Sequence, residues 1–472
     1  MRADDLSFLT IRELGALLRA RRVSSTELTR HFLDRLERLG PEFNCVVTVT
    51  RERALAEAAR ADREIARGHF RSPLHGIPYG AKDLLAARGA PTTWGAQPFR
   101  DQLLDGDATV IARLTEAGAV LCAKLAMVEL AGGMGYNQAF ASFTGPGKSP
   151  WAPRRDRWSG GSSSGSGAAV GAGLVPFAIG SETWGSIQYP CAFCGTSGIR
   201  PTYGRVSRHG AMALSWSMDK LGPIGRTVED CALVLAVIAG RDAEDPTAIA
   251  GPFRFPSPEI RARRRFRIGL LAGTLEKLQP EVKANFEASL EVMREFADVV
   301  DDQVKLPDFP YEAAAGLIIQ VEGAAAFEPL FESGRITELT APEDRIGGYS
   351  GLVVPAKDYL RALRVRRPAG LALDRMLSQF DALAAPTLPT VAWPLDAAFD
   401  KVYPETQGGR SIAGAANLCG VPAVFLMNGT GEAGLPTSLQ FTARAGAEGT
   451  LVELAMRYQA RTEFHRMRPP GL

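Results

Sequence analysis

The stretch Gly160-Gly161-Ser162-Ser163-Ser164-Gly165-Ser166, continuing through Gly167, Ala168 and Gly171, has almost no side chain to place. Composition alone would allow a flexible linker. However, a smooth apolar run through Val175, Phe177 and Ile179 follows at once, as expected of buried structure. The small residues from Gly165 to Gly173 therefore suit a buried helix packed closely on a sheet. The apolar run opens into Gly180-Ser181-Glu182-Thr183-Trp184-Gly185-Ser186-Ile187. Upstream, Gly76-Ile77-Pro78-Tyr79-Gly80-Ala81-Lys82-Asp83 puts a lysine at the end of another Gly/Pro-punctuated apolar run, as for a strand leading inward.

Together these segments set two serines and a lysine among glycines. A serine hydroxyl is a weak nucleophile until a base takes its proton. Glycines let backbone N–H groups approach a reacting carbonyl and stabilise the oxyanion. That combination suits acyl transfer without a catalytic histidine. Lys82 could serve as base only if burial kept it partly neutral, since a free lysine titrates near ~10.4. Two nucleotide-binding readings fail. No lysine follows the glycines as a phosphate loop requires, and Gly165-Ser166-Gly167-Ala168-Ala169-Val170 lacks the third glycine of a dinucleotide fingerprint. The five histidines are His31, His69, His75, His209 and His465. None accompanies a G-x-S-x-G elbow, and His75 and His209 are the only two near the serine and lysine segments.

The 472 residues are 46% apolar, enough for a large core, and the net charge of +2 offers no electrostatic case for nucleic acid or an anionic membrane. The basic run Arg261–Arg267 reads as a solvated connector, and Arg361, Arg364, Arg366 and Arg367 as the solvated side of a helix. The six cysteines are scattered, so a disulfide framework is not expected. Cys191 and Cys194 form a lone C-x-x-C without a second pair or a neighbouring histidine, and read as two buried thiols rather than a zinc site. The N-terminus lacks a hydrophobic leader, and no apolar run is long enough to span a bilayer, so a cytoplasmic enzyme is expected.

Thr10-x-x-Glu13 and Ser24-x-x-Glu27 are capping-box patterns opening two helices, the second stopped by Gly40-Pro41. A third, Ala-rich helix is expected over 51–67. Beyond 76, short apolar runs alternate with helices at 119–123, 175–179, 268–271, 299–300, 382–384 and 424–427. This alternation predicts an α/β fold, a mixed sheet covered by helices on both faces. With no repeat and no clean linker, residues 1–472 read as one domain. N-terminal helices would occupy about 8–67, and residues 245–266 would be a surface excursion.

The three segments resemble the amidase signature family of Ser–Ser–Lys hydrolases, whose fold is a large twisted mixed β-sheet. Pro201-Thr202-Tyr203-Gly204-Arg205-Val206-Ser207, Gly222–Asp230, Ala384-Ala385-Pro386-Thr387 and Gly434–Gln440 extend the similarity. The resemblance implies Ser186 as nucleophile and Lys82 as base. Ser162, preceded by a cis peptide bond, would carry protons between them. The backbone N–H groups of Thr183, Trp184, Gly185 and Ser186 would form the oxyanion hole, with Ser163 bonding Lys82 or orienting the loop. It implies no metal or organic cofactor. Two residues depart from the family pattern. Trp184 stands where glycine is frequent, suggesting an apolar or aromatic pocket wall. Gln188 replaces a common arginine, which weighs against an anionic group held there. The resemblance thus implies a monomeric or homodimeric hydrolase cleaving C–N bonds of small amides, anilides or carbamates, with esters open to the same chemistry. Its pocket would be shaped by a variable region at about 310–410. The alternative is the glutaminase component of a tRNA-dependent amidotransferase, which would work with partner subunits.

Overall fold

The computed structural model describes residues 6–132, 134–135, 137–251, 253, 255, 265–397 and 401–472, with backbone only at 301–303. Eleven strands form one mixed sheet in the order β1-β3-β2-β4-β6-β5-β10-β11-β9-β7-β8. They are β1 Val46–Val49, β2 Pro78–Lys82, β3 Val120–Leu125, β4 Phe177–Glu182, β5 Ser197–Arg200, β6 Lys220–Gly225, β7 Phe266–Leu271, β8 Ala297–Val304, β9 Ala382–Pro386, β10 Ala423–Thr430 and β11 Pro436–Thr442. Strand β2 runs parallel to both β3 and β4, and β7 parallel to β8 and β9. The other pairings are antiparallel.

Side chains alternate across a strand, so each face of this sheet has its own core. On β3, Leu121 joins one apolar cluster while Val120 and Cys122 join another. On β4, Phe177 and Ile179 go with the first and Ala178 with the second. The sheet is therefore buried on both faces, as the alternation of runs and helices predicts.

Both capping boxes form, opening helices Ile11–Arg19 and Ser25–Phe43. The expected stop at Gly40-Pro41 is not observed, because Pro41 lies inside the second helix. The last turn holds because Phe43 is fully buried, and the chain reverses only at Asn44, in the left-handed region at φ 49°. The third helix spans Arg51–Ala66. All six expected runs lie in strands, namely β3, β4, β7, β8, β9 and β10. Of the basic residues, Arg265 pairs with Asp298 at 2.6 Å. Arg261, Arg263 and Arg264 lie outside the described residues, as does much of 245–266. Arg361, Arg364 and Arg367 are exposed as expected. Arg366 is not solvated in the same way: it is half-buried, its guanidinium 5.5 Å from the Tyr203 ring. Cys191 and Cys194 are free and buried.

The glycine-serine stretch forms helix Ser164–Gly171, buried throughout. Its crossing over the sheet is so close that a Cβ on Gly165 would collide with backbone atoms of Cys45 and Ala126. Gly165→Ala should therefore destabilise the protein by about 1–3 kcal/mol through overpacking. Gly316→Ala, in the exposed middle of helix Tyr311–Ala326 with nothing near the added carbon, should stabilise it by about 0.5–1 kcal/mol. Urea unfolding of the two variants checks the opposite signs.

Candidate active site

Parallel strands β2, β3 and β4 end at the same edge, and ligands in α/β sheets commonly bind outside such carboxyl ends. Lys82 is the last residue of β2 and is fully buried. Its Nζ donates to Ser162 Oγ at 2.7 Å and to Ser181 Oγ at 2.9 Å. Burial lowers the Lys82 pKa to about 7, against an opposing pull from Asp219 and Glu182. Ser162 follows a cis peptide bond from Gly161, and its carbonyl accepts the Val128 N–H at 3.1 Å. Ser163 does not bond the lysine. Its Oγ accepts the Ser181 N–H at 3.2 Å and donates to the Ser181 carbonyl at 3.1 Å, so it orients the loop against β4.

Ser186 lies next to this group, its carbonyl accepting the Ser163 N–H at 3.2 Å. No hydrogen bond joins the hydroxyls of Ser162 and Ser186. A proton relay through them needs that contact to tighten once substrate is bound, which is common in unliganded sites. Gly185 makes the turn before Ser186 at φ 86°, and a Cβ there would strike the Tyr189 ring. Among the described residues, no acceptor takes the N–H groups of Trp184, Gly185 or Ser186. Three successive backbone donors, those of Trp184, Gly185 and Ser186, are thus left unpaired at this turn. The Trp184 indole packs against the apolar cluster built from helices Tyr311–Ala326, Ala356–Leu377 and Ala413–Cys419.

Buried charges hold the turn. Glu182 Oε2 accepts the N–H groups of Ile187 and Gln188 at 2.9 and 3.0 Å. Its Oε1 takes the Arg200 guanidinium at 2.8 Å. Burial opposes ionisation, but Arg200, Lys220 and the Ile187 N–H bring the Glu182 pKa to about 2. Thr183 Oγ1 donates to Asp219 at 2.5 Å, and Lys220 Nζ donates to the Thr183 carbonyl at 3.3 Å. Gln188 turns inward, Nε2 donating to the Thr387 carbonyl at 2.6 Å. Sequence reasoning missed Ser181, Arg200, Asp219 and Lys220 as parts of this site. Neither candidate histidine bonds Ser162 or Ser186: His75 Nε2 lies 3.1 Å from Glu64, and exposed His209 lines the cavity beside Thr183. A cavity of about 210 Å³ reaches Ser181 and Thr183, with walls that include Leu84, Ala131, Met212 and Trp216.

Comparison with known proteins places this fold in a class of amide-bond hydrolases. The amidase family profile matches residues 27–452, and the chain belongs to the amidase signature family. It is 37% identical to a subunit of the glutamyl-tRNA(Gln) amidotransferase of Moorella thermoacetica, over 98% of this chain and 99% of that protein. It is also 37% identical to a putative amidase, AmiD, of Mycobacterium bovis, over 99% and 97% respectively. The native peptide amidase of Stenotrophomonas maltophilia superposes with a TM-score of 0.84 at 34% identity, covering 98% of each chain. No described helix is long and apolar enough to cross a membrane.

Removing one partner of a buried ion pair leaves an uncompensated charge. Arg200→Met should therefore cost about 3–5 kcal/mol in urea unfolding. The double change Arg200→Met with Glu182→Gln should recover part of that loss, because a neutral amide oxygen still accepts the Ile187 or Gln188 N–H.

Proposed function

We propose that this protein hydrolyses C–N bonds of small amides with apolar or aromatic groups, through a covalent acyl-enzyme on Ser186. The observation that carries this reading is the pairing of Lys82. The chain buries three lysines fully or nearly so. Lys124 faces Asp83 at 2.7 Å, and Lys220 donates to backbone carbonyls of Thr183 and Met218. Lys82 alone is held by serine hydroxyls. A lysine without a bonded carboxylate, titrating near neutrality, is available as a base.

In this reading neutral Lys82 takes a proton from Ser162, which takes one from Ser186 as the latter attacks the amide carbonyl. The oxyanion forms against the N–H groups of the Thr183–Ser186 turn; losing one such donor in other hydrolases costs about 3–4 kcal/mol. Ser162 returns the proton to the departing amine. Water then cleaves the acyl-enzyme by the reverse path. Residues 1–472 act as one catalytic domain, and no cofactor enters.

A second reading is favoured by the curated relatives named as amidotransferase subunits: ammonia release from glutamine, for other subunits to use. The packing of Trp184 and the apolar part of the cavity wall, Leu84, Met212, Leu214 and Trp216, support the first, although Arg208, Asp219, Glu244 and Asp245 line the same cavity. Comparing ammonia release from glutamine with amine release from an anilide or a peptide amide tests the two. Preference for glutamine by more than tenfold in kcat/KM would overturn the proposal.

Ser186→Ala should abolish turnover with the fold intact, and a fluorophosphonate probe should label Ser186 of the wild type. Lys82→Ala should be nearly inactive toward amides. In the wild type, kcat/KM should rise about tenfold per pH unit below 7 as Lys82 deprotonates, then level off. An acid limb that survives in Lys82→Ala would assign the titration to another group.

Trp184→Gly should shift kcat/KM from aromatic toward small polar amides by about 1–3 kcal/mol. Equal losses for both classes would mean that the indole only supports the turn.

A further inference from the structure

Apart from the relay, one buried side chain has neither oxygen satisfied. Asp344 is fully buried, and no described donor reaches its Oδ1 or Oδ2. It opens the short helix Asp344–Gly347, which lies directly on the loop after Glu129. The approach is so close that a Cβ on Gly135 would collide with Asp344 Oδ1, and one on Gly347 with the Met134 carbonyl. The group facing Asp344 is the Glu129 carboxyl, equally buried and within hydrogen-bonding reach. Glu129 is itself fixed, accepting the N–H groups of Thr340 at 2.8 Å and Ala341 at 2.9 Å.

Two facing carboxyls, one of them without any donor, do not both ionise readily in such a place. Among the described residues no neighbouring cation relieves them. Glu343 adds a third negative charge and takes the Gln138 amide at 3.1 Å. Arg345 turns away, its guanidinium 2.7 Å from the Leu339 carbonyl and 3.5 Å from that of Thr340. Glu129 and Glu343 are the charged groups acting on Asp344.

We propose that Glu129 and Asp344 share one proton, Asp344 donating to the Glu129 carboxylate, and that this pair is a positioning element of the active site. Glu129 follows Val128, whose N–H holds the Ser162 carbonyl at 3.1 Å. Ala131, two residues on, lines the cavity at Thr183. The shared proton thus clamps the wall that supports the relay serine to segment 335–347. Burial and the facing carboxyl raise Asp344 from 3.8 to about 8. Between those values the folded protein holds a proton that the unfolded chain has lost. The clamp is therefore whole below about pH 8 and loosens as pH rises through it, with stability falling across the interval.

The activity arm of the test rests on the amidase reading. Wild-type kcat should fall above about pH 8, distinct from the Lys82 limb near 7. Asp344→Asn donates an N–H to Glu129 without titrating, so it should turn over at pH 7 and lose the fall. Its ratio of rates at pH 9 and pH 7 should exceed the wild-type ratio by about tenfold. Glu129→Gln turns an N–H toward Thr340 or Ala341 and should be impaired at every pH. A second arm needs no substrate: the infrared band of a buried protonated carboxyl, present in the wild type at pH 7, should vanish in Asp344→Asn. It stands even if the enzyme proves to be no amidase. Loss of pH sensitivity in neither arm, with identical bands and superimposable profiles, would overturn the proposal. So would tight binding of magnesium or calcium that Asp344→Asn abolishes, since the carboxylates would then hold a cation rather than a proton.

Discussion

The geometry around Ser186 depends on one buried anion. Glu182, the last residue of β4, binds the first two N–H groups after Ser186 and the Arg200 guanidinium from β5. Burial alone would neutralise it, and a neutral carboxyl would hold the turn less tightly. Arg200 is what keeps it charged. Because the turn leaves β4 through Gly185 at positive φ, nothing in ordinary strand or helix pairing would otherwise settle where Ser186 points. The anion binds the far side of the turn, leaving the N–H groups on the near side unpaired.

The same constraint governs the cations. Burying a lysine costs several kcal/mol unless it is paired or neutral. Lys124 resolves this with Asp83, which also accepts from Thr93. Lys220 resolves it with carbonyls and the nearby negative charges of Asp219 and Glu182, and it titrates near 7. Lys82 is bonded by hydroxyls only, and burial outweighs the pull of the same two carboxylates, bringing it to about 7. A side chain left in this condition is unstable as a charge and reactive as a base, two descriptions of one desolvation penalty.

The segments carrying Lys82, Ser162 and Ser186 were legible because glycine spacing and apolar runs are local signals. Lys82 could be placed at a strand end, and the helix at Ser164–Gly171 followed from small residues beside an apolar run. Strands β1, β5, β6 and β11 were not legible. In Lys220-Leu221-Gly222-Pro223-Ile224-Gly225 the glycines and the proline dilute the period-two pattern, yet full burial on both faces suits short or ring side chains. Pro41 read as a stop because propensity is local, whereas the burial of Phe43 is tertiary. Ser181 looked like filler between glycine and glutamate, and only strand pairing shows that it is the second partner of Lys82. Arg200 and Asp344 carry no motif at all. Their partners lie 18 and more than 200 residues away, and only the fold brings each pair together.

The strand order also has a consequence for synthesis of the chain. All residues of the relay and its turn have been translated by Ser186, but Arg200 sits on β5 between β6 and β10. Its second bond is to the Val421 carbonyl at 3.2 Å, just before β10. Closing such distant pairings is slow because loop entropy must be overcome first. A nascent chain that has exposed the serines and the lysine still lacks the strand that braces Arg200 beneath Glu182. The segments that carry Lys82, Ser162 and Ser186 are thus encoded early, whereas the packing that braces Arg200 is complete only once β10 has emerged.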